Sequence, residues 1–102
     1  MLKVKDNVDL KELEKFGFKY VQELMHPQDT ENRQYFETRY VIDFGNTTCE
    51  IVESRTLSVW HFPNKIREIY FYPNDYELFM GKDELNLIYD LIQAGLIEKV
   101  VE

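Results

Sequence analysis

Few side chains in this sequence are of the types that do chemistry, and their spacing does not bring them together. Cys49 is the only cysteine, and His26 and His61 are the only histidines. A nucleophile needs a base within hydrogen-bond reach, and a metal centre needs several ligands at fixed spacing. His26 precedes Pro27 in a polar stretch and His61 lies in a strand-like run; neither has a second ligand at metal-site spacing. Cys49 also falls in a strand-like run, where a thiol behaves as a small apolar core group. A second arrangement pairs carboxylates. Asp43 and Glu50 become near-diagonal neighbours if Gly45-Asn46 is a two-residue turn between strands. Carboxylates so placed can share a proton or hold a cation, and solvated charges on a strand face give the same pattern. A third arrangement is cationic: Arg39, Arg55 and Arg67 are placed where they could grip a phosphate. There is no phosphate loop, dinucleotide fingerprint, nucleophile elbow or His-Glu pair on a helix. These residues imply a chain without catalytic activity, cofactor or metal.

The elements that would position these groups follow from caps and periodicity. Asp9 and Glu12 form a capping-box pattern ahead of Leu10 to Phe16, with Val8 and Leu13 at the two staple positions. Gly17 stands where a left-handed residue ends a helix, and Phe18 can fold back on Leu13. Leu2 to Lys5 can add a short strand. A strand from Phe18 to about Leu24 comes next, then an exposed polar loop from His26 to Arg33. Tyr35 to Phe44 places Phe36, Tyr40, Ile42 and Phe44 at period two, and Gly45-Asn46 signals a hairpin. Thr48 to Glu53, Leu57 to Phe62 and Ile66 to Tyr72 read as further strands, with turns at Pro63-Asn64-Lys65 and Pro73-Asn74-Asp75. A second helix begins at Asp83, carries an apolar stripe of Leu85, Ile88, Leu91 and Ile92, and ends at Gly95, where Leu96 can pack back on Leu91. Leu96 to Val101 makes a terminal strand. The sequence thus predicts one α+β domain over residues 1–102. It is an antiparallel meander of four to five strands flanked by an N-terminal and a C-terminal helix.

Composition narrows the function classes. Apolar residues make up 44% of the 102 residues and aromatics 15%, enough for a core without disulfides or metals. Acidic side chains number 19 against 12 basic ones, a formal charge of −7. Binding nucleic acid requires Lys and Arg to displace counterions from phosphates, so direct nucleic-acid binding is not expected. Leu91 to Val100 is similar to the helix-to-wing passage of winged-helix regulators. The helix before it, however, carries Asp83, Glu84 and Asp90 where a recognition helix would be basic. No apolar run approaches a membrane span, and the first residues form no signal-peptide core, so a cytosolic protein without membrane contact is expected. An acidic surface steers toward basic protein surfaces.

Hairpin counting identifies a surplus face. With Gly45-Asn46 as the turn, Phe36, Tyr40, Ile42, Phe44, Cys49 and Ile51 share one side, continued by Trp60, Phe62, Ile69 and Phe71. Two amphipathic helices can cover that side as the core. The opposite side then carries Val41, Val52, Leu57, Val59, His61, Tyr70 and Tyr72, with Arg39, Asp43 and Glu50 among them. It is more apolar than a solvated sheet face needs. Either the loop after Met25 or the terminal strand covers it, or it is a contact surface for another protein or a second copy of the chain. For the contact reading the expected residues are Val59, His61, Tyr70 and Tyr72 at the centre, with Asp75 and Glu77 steering association.

Two stretches carry a resemblance. Val4-Lys-Asp-Asn-Val-Asp-Leu-Lys-Glu-Leu-Glu-Lys-Phe-Gly-Phe18 resembles the start, and Ile88-Tyr-Asp-Leu-Ile-Gln-Ala-Gly-Leu-Ile-Glu-Lys-Val100 the end, of small uncharacterised proteins encoded by phages and prophages of low-GC Gram-positive bacteria. The resemblance implies an accessory protein of the host-cell cytosol that binds a host protein, such as an antiviral defence factor that it inhibits. It carries over no functional residues. The alternative from another class is a small-ligand domain that sequesters a nucleotide through the three arginines.

Overall fold

Gly45-Asn46 sets the register of the central hairpin. In the computed structural model, which describes residues 1–25, 35–55, 66–74 and 80–100 (backbone only for 24, 25, 35, 36, 54 and 55), β3 (Tyr35–Asp43) and β4 (Thr47–Arg55) are antiparallel. Ile42 faces Cys49, Tyr40 faces Ile51, and the Phe44 N–H donates to the Thr47 carbonyl at 2.8 Å. Gly45 is left-handed at φ 93° and Asn46 is not. Glycine takes a positive φ without the clash a Cβ would bring, which suits it to a tight hairpin connection. β2 (Lys19–Met25) and β5 (Ile69–Pro73) complete a four-stranded antiparallel sheet of order β2-β3-β4-β5.

The two ends of the chain pair with each other instead of extending this sheet. β1 (Leu2–Val4) and β6 (Ile97–Lys99) form a separate two-stranded sheet, with Val4 opposite Ile97. Both of these side chains are buried, and outside them Lys3 pairs with Glu98 at 3.6 Å. The terminal strand therefore serves the core and does not cover the meander as one reading expected. A bridge between Lys3 and Glu68 ties β1 to the approach to β5.

The N-terminal helix is a 3₁₀ helix over Leu10–Phe16 and not an α-helix. Its ends are where the sequence places them. The Asp9 carboxylate accepts from the Lys11 N–H at 3.0 Å, and Gly17 is left-handed at φ 97°. Seven residues between two tight ends explain the helix type. Glu12 N–H bonds back to Asp9 and Gly17 N–H to Glu14, both three residues apart, so the tightened terminal turns consume the whole segment. Glu12 spends its side chain on Lys15, at 2.7 Å, and not on a capping box.

The C-terminal helix α1 (Lys82–Gln93) also departs from expectation at its start. Its N-cap is Gly81, not Asp83, and the groups that point inward are Glu84, Leu87 and Leu91. Leu85 and Ile92, expected on the apolar stripe, are exposed, as is Tyr89. The end matches. The Leu96 N–H donates to the Leu91 carbonyl at 3.1 Å and the Gly95 N–H to that of Ile92 at 3.0 Å, with Gly95 at φ 73°. These are the two bonds of a Schellman cap. A Cβ on Gly95 would meet nothing within 4 Å, so only the backbone conformation opposes a side chain there. Gly95→Val is expected to cost about 1–2 kcal/mol, measured as a lower denaturant midpoint at unchanged slope.

Both helical segments cover the predicted side of the sheet. Leu10, Leu13, Leu87 and Leu91 join Tyr40, Cys49, Ile51, Ile69, Phe18, Val4 and Ile97 in one core, with Ile42, Phe44 and Phe71 packed against it. The expected strand Leu57 to Phe62, with Val59 and His61, lies outside the described residues. So do the turn at Asn64-Lys65 and the acids Asp75 and Glu77. The last expected strand begins later than Ile66, because Arg67 is left-handed at φ 70° and breaks the extended run.

Candidate binding face

The sheet side away from the core is built around Arg39. Cross-strand pairing places Val21 and Val52 beside it, Glu50 diagonal to it, and Glu23 and Glu37 one step along the ladder. Its guanidinium donates to Glu23 at 2.7 Å and to Glu37 at 3.2 Å. Burial works against its charge, but Glu50, Glu23 and Glu37 outweigh burial and hold the guanidinium above its ordinary value. Its Nε is buried without a hydrogen-bond partner among the described residues. The register shift between Thr38 and Arg39 inserts Glu53 as an unpaired residue and sets Arg39 opposite Val52.

Tyr70 and Tyr72 lie on this same side, opposite Glu50 and Thr48. The Tyr70 hydroxyl donates to Glu68 at 2.6 Å. Tyr72 is 39% exposed, and the charge of Glu50 lies close to its hydroxyl. Burial first, and Glu50 second, push that hydroxyl above its ordinary range, so it remains a donor. The face is not open throughout. Val52 and Thr48 are buried, Val41 and Tyr70 are half-buried, and the Thr48 hydroxyl bonds to Asn74 at 2.6 Å. Of the expected contact residues, the structure brings Tyr70 and Tyr72 together; Val59, His61, Asp75 and Glu77 lie outside the described residues.

The other chemical candidates find structural roles. Asp43 stands diagonal to Glu50, as the turn register predicts. It accepts from the Gly45 N–H at 2.7 Å and the Asn74 amide at 3.0 Å, fixing the hairpin turn. No group of three or more His, Cys, Asp or Glu able to hold a metal occurs among the described residues. Two of the three arginines considered for phosphate are engaged. Arg39 is held as above, and Arg67 donates to the carbonyls of Lys5 and Val8 at 2.8 and 3.0 Å. Nothing is described of the Arg55 side chain.

Cys49 is fully buried in the core, where burial first and Glu50 second push its thiol up to about 12. A thiol reagent is therefore expected to label it slowly in the native protein and rapidly in denaturant. Cys49→Ala should cost only about 1 kcal/mol of stability. Fast native labelling would contradict this burial.

One polar pair was hidden from the sequence reading. Glu84 is 5% exposed inside α1, and its carboxylate accepts from the fully buried Thr47 hydroxyl at 2.8 Å. The backbone N–H of Glu84 itself first, then the Thr47 hydroxyl, and lastly the Gly81 backbone outweigh burial and hold this carboxyl below its ordinary value. A depressed folded value stabilises the protein above the unfolded carboxylate range, and that contribution is lost as pH falls through the folded value. Thermal melts should therefore fall on acidification below the ordinary carboxylate range. Thr47→Val should flatten that slope, and an unchanged slope would remove Glu84 as its source.

Among the described residues no helix is long and apolar enough to cross a membrane. The signal for the Arg39 network was present as Glu37-x-Arg39, two opposite charges on one strand face, but its third member, Glu23, comes from another strand. No protein-family model, curated protein or solved structure matches the chain.

Proposed function

We propose that this chain is a binding module without catalytic activity, which docks on a basic surface of another protein through the sheet face bearing Tyr70 and Tyr72. The observation that carries this reading is the composition of that face. A half-buried tyrosine hydrogen-bonded to Glu68 and an exposed one beside Glu50 stand on a sheet surface where Glu23, Asp43, Glu50 and Glu68 outnumber Arg39 and Lys19. Tyrosine supplies contact area at low entropic cost, and surplus carboxylates select lysine and arginine in the partner.

The resemblance of both chain ends to small phage and prophage proteins supports a host protein of the bacterial cytosol as that partner. Inhibition of an antiviral defence factor is the use that fits an acidic protein able to occupy a basic channel. Asp75 and Glu77 are assigned to steering, so reversing their charge should slow association more than it speeds dissociation. The test is capture from host cytosol on the immobilised chain, followed by reconstitution with the purified partner. One host protein bound in stoichiometric amount supports the reading. A melting temperature that rises with phosphate or nucleotide, and no stoichiometric partner, would favour the ligand-sequestering alternative.

A further inference from the structure

β2 is an edge of the four-stranded sheet: β3 pairs with one side of it, and no strand among the described residues pairs with the other. Natural edges are blunted by brevity, proline, bulges or covering elements. The opposite edge, β5, is blunted: it ends in Pro73, and its approach is bridged to β1 at Lys3 and Glu68. β2 is not. It runs seven residues without proline, its pairing with β3 is continuous from Lys19 to Met25, and Tyr20 on it is 48% exposed.

The side chains of this edge are complementary to their own reverse order. In Lys19-Tyr20-Val21-Gln22-Glu23, an antiparallel pairing of β2 with a second β2 centred on Val21 sets Lys19 opposite the second copy's Glu23, and does so twice. It sets Tyr20 opposite the second copy's Gln22 twice, and Val21 opposite Val21. Moving the centre by one residue, to Tyr20 or to Gln22, puts Val21 opposite Lys19 or Glu23 and leaves the charges unmatched. A lysine on an edge usually discourages pairing, but here its mirror position holds a carboxylate. Glu23 accepts Arg39 at 2.7 Å while its side chain stays 48% exposed, and Lys19 is exposed. The net charge of −7 on each copy opposes association. At physiological ionic strength, however, repulsion is screened beyond about 8 Å, so the charges beside the seam count most.

We infer that β2 is a self-complementary edge through which two copies of the chain pair antiparallel about Val21, joined by two Lys19–Glu23 contacts. The inference uses the edge and not the tyrosine face, so it stands or falls apart from the docking reading. Pairing in the plane of the sheet leaves the Tyr70 and Tyr72 faces of both copies on the same side, which makes the dimer a bivalent binder.

The test is sedimentation of the intact chain over a range of concentration. Wild type should form a reversible dimer. Lys19→Glu and Glu23→Lys, each checked for folding by circular dichroism, should each self-associate about 10-fold or more weakly, because both seam contacts become repulsive. An equimolar mixture of the two variants should regain the dimer, since opposite charges then meet at every position. Val21→Cys should form a disulfide-linked dimer under mild oxidation, because directly opposed antiparallel residues lie within bridging distance and buried Cys49 does not compete. The inference is overturned if wild type stays monomeric at the highest concentration. It is also overturned if Lys19→Glu dimerises as wild type does, or if the folded Val21→Cys chain does not cross-link.

Discussion

Replacing Arg39 with Met is expected to destabilise the fold by about 2–3 kcal/mol, the largest stability effect of any single substitution considered. Arg39 holds together three strands through Glu23 of β2, Glu37 of its own strand and the charge of Glu50 on β4. The Glu37 side chain is only 7% exposed, so removing the guanidinium takes an ion-pair partner from a poorly hydrated carboxylate close to two others. Breaking a fully buried pair costs about 3–5 kcal/mol. The Arg39 side chain is 22% exposed and that of Glu23 48%, so solvent reduces the figure, and losing the unpartnered Nε offsets a little more. Adding Glu37→Gln to Arg39→Met should recover most of the loss, because the poorly hydrated charge is then gone. Urea unfolding of the two variants measures both steps. A loss below about 0.5 kcal/mol for Arg39→Met would place the network among surface ion pairs that contribute little.

Replacing Tyr70 and Tyr72 together with Ala is expected to weaken partner binding by more than about 2 kcal/mol, roughly 30-fold or more, with the fold retained. Neither ring belongs to the core cluster. Tyr72 is the more exposed and lies beside Glu50, while the Tyr70 hydroxyl bonds to Glu68. The Tyr70 bond holds that ring in place before any partner arrives, which lowers the entropy lost on binding. Alanine removes the rings and leaves both carboxylates in place, so association should persist weakly on charge alone.

The sequence made the hairpin and both helix ends legible because each depends on one local residue with few alternatives. Gly45, Gly17 and Gly95 sit at positive φ, and a glycine at the end of an apolar run shows where that must happen. The hairpin register then followed by counting. What lay hidden depends on contacts between distant residues. Glu84 occupies an inward position of α1 because Thr47, 37 residues earlier, offers it a hydroxyl there, so a stripe of apolar residues misplaces the buried side of the helix. The pairing of β1 with β6 is likewise set by Val4 and Ile97 meeting in the core. The Arg39 network requires three strands and a register shift, and no single stretch of sequence contains it.

The most direct measurement is a calorimetric titration of the captured host partner into wild type and into Tyr70→Ala/Tyr72→Ala, with circular dichroism and urea unfolding on the same samples. The account predicts a folded double variant whose affinity falls about 30-fold or more, while Asp75→Lys/Glu77→Lys mainly slows association and reduces its salt dependence. A folded double variant that binds as wild type does would contradict it. So would a double variant that unfolds, because the tyrosines would then belong to the core and not to a contact.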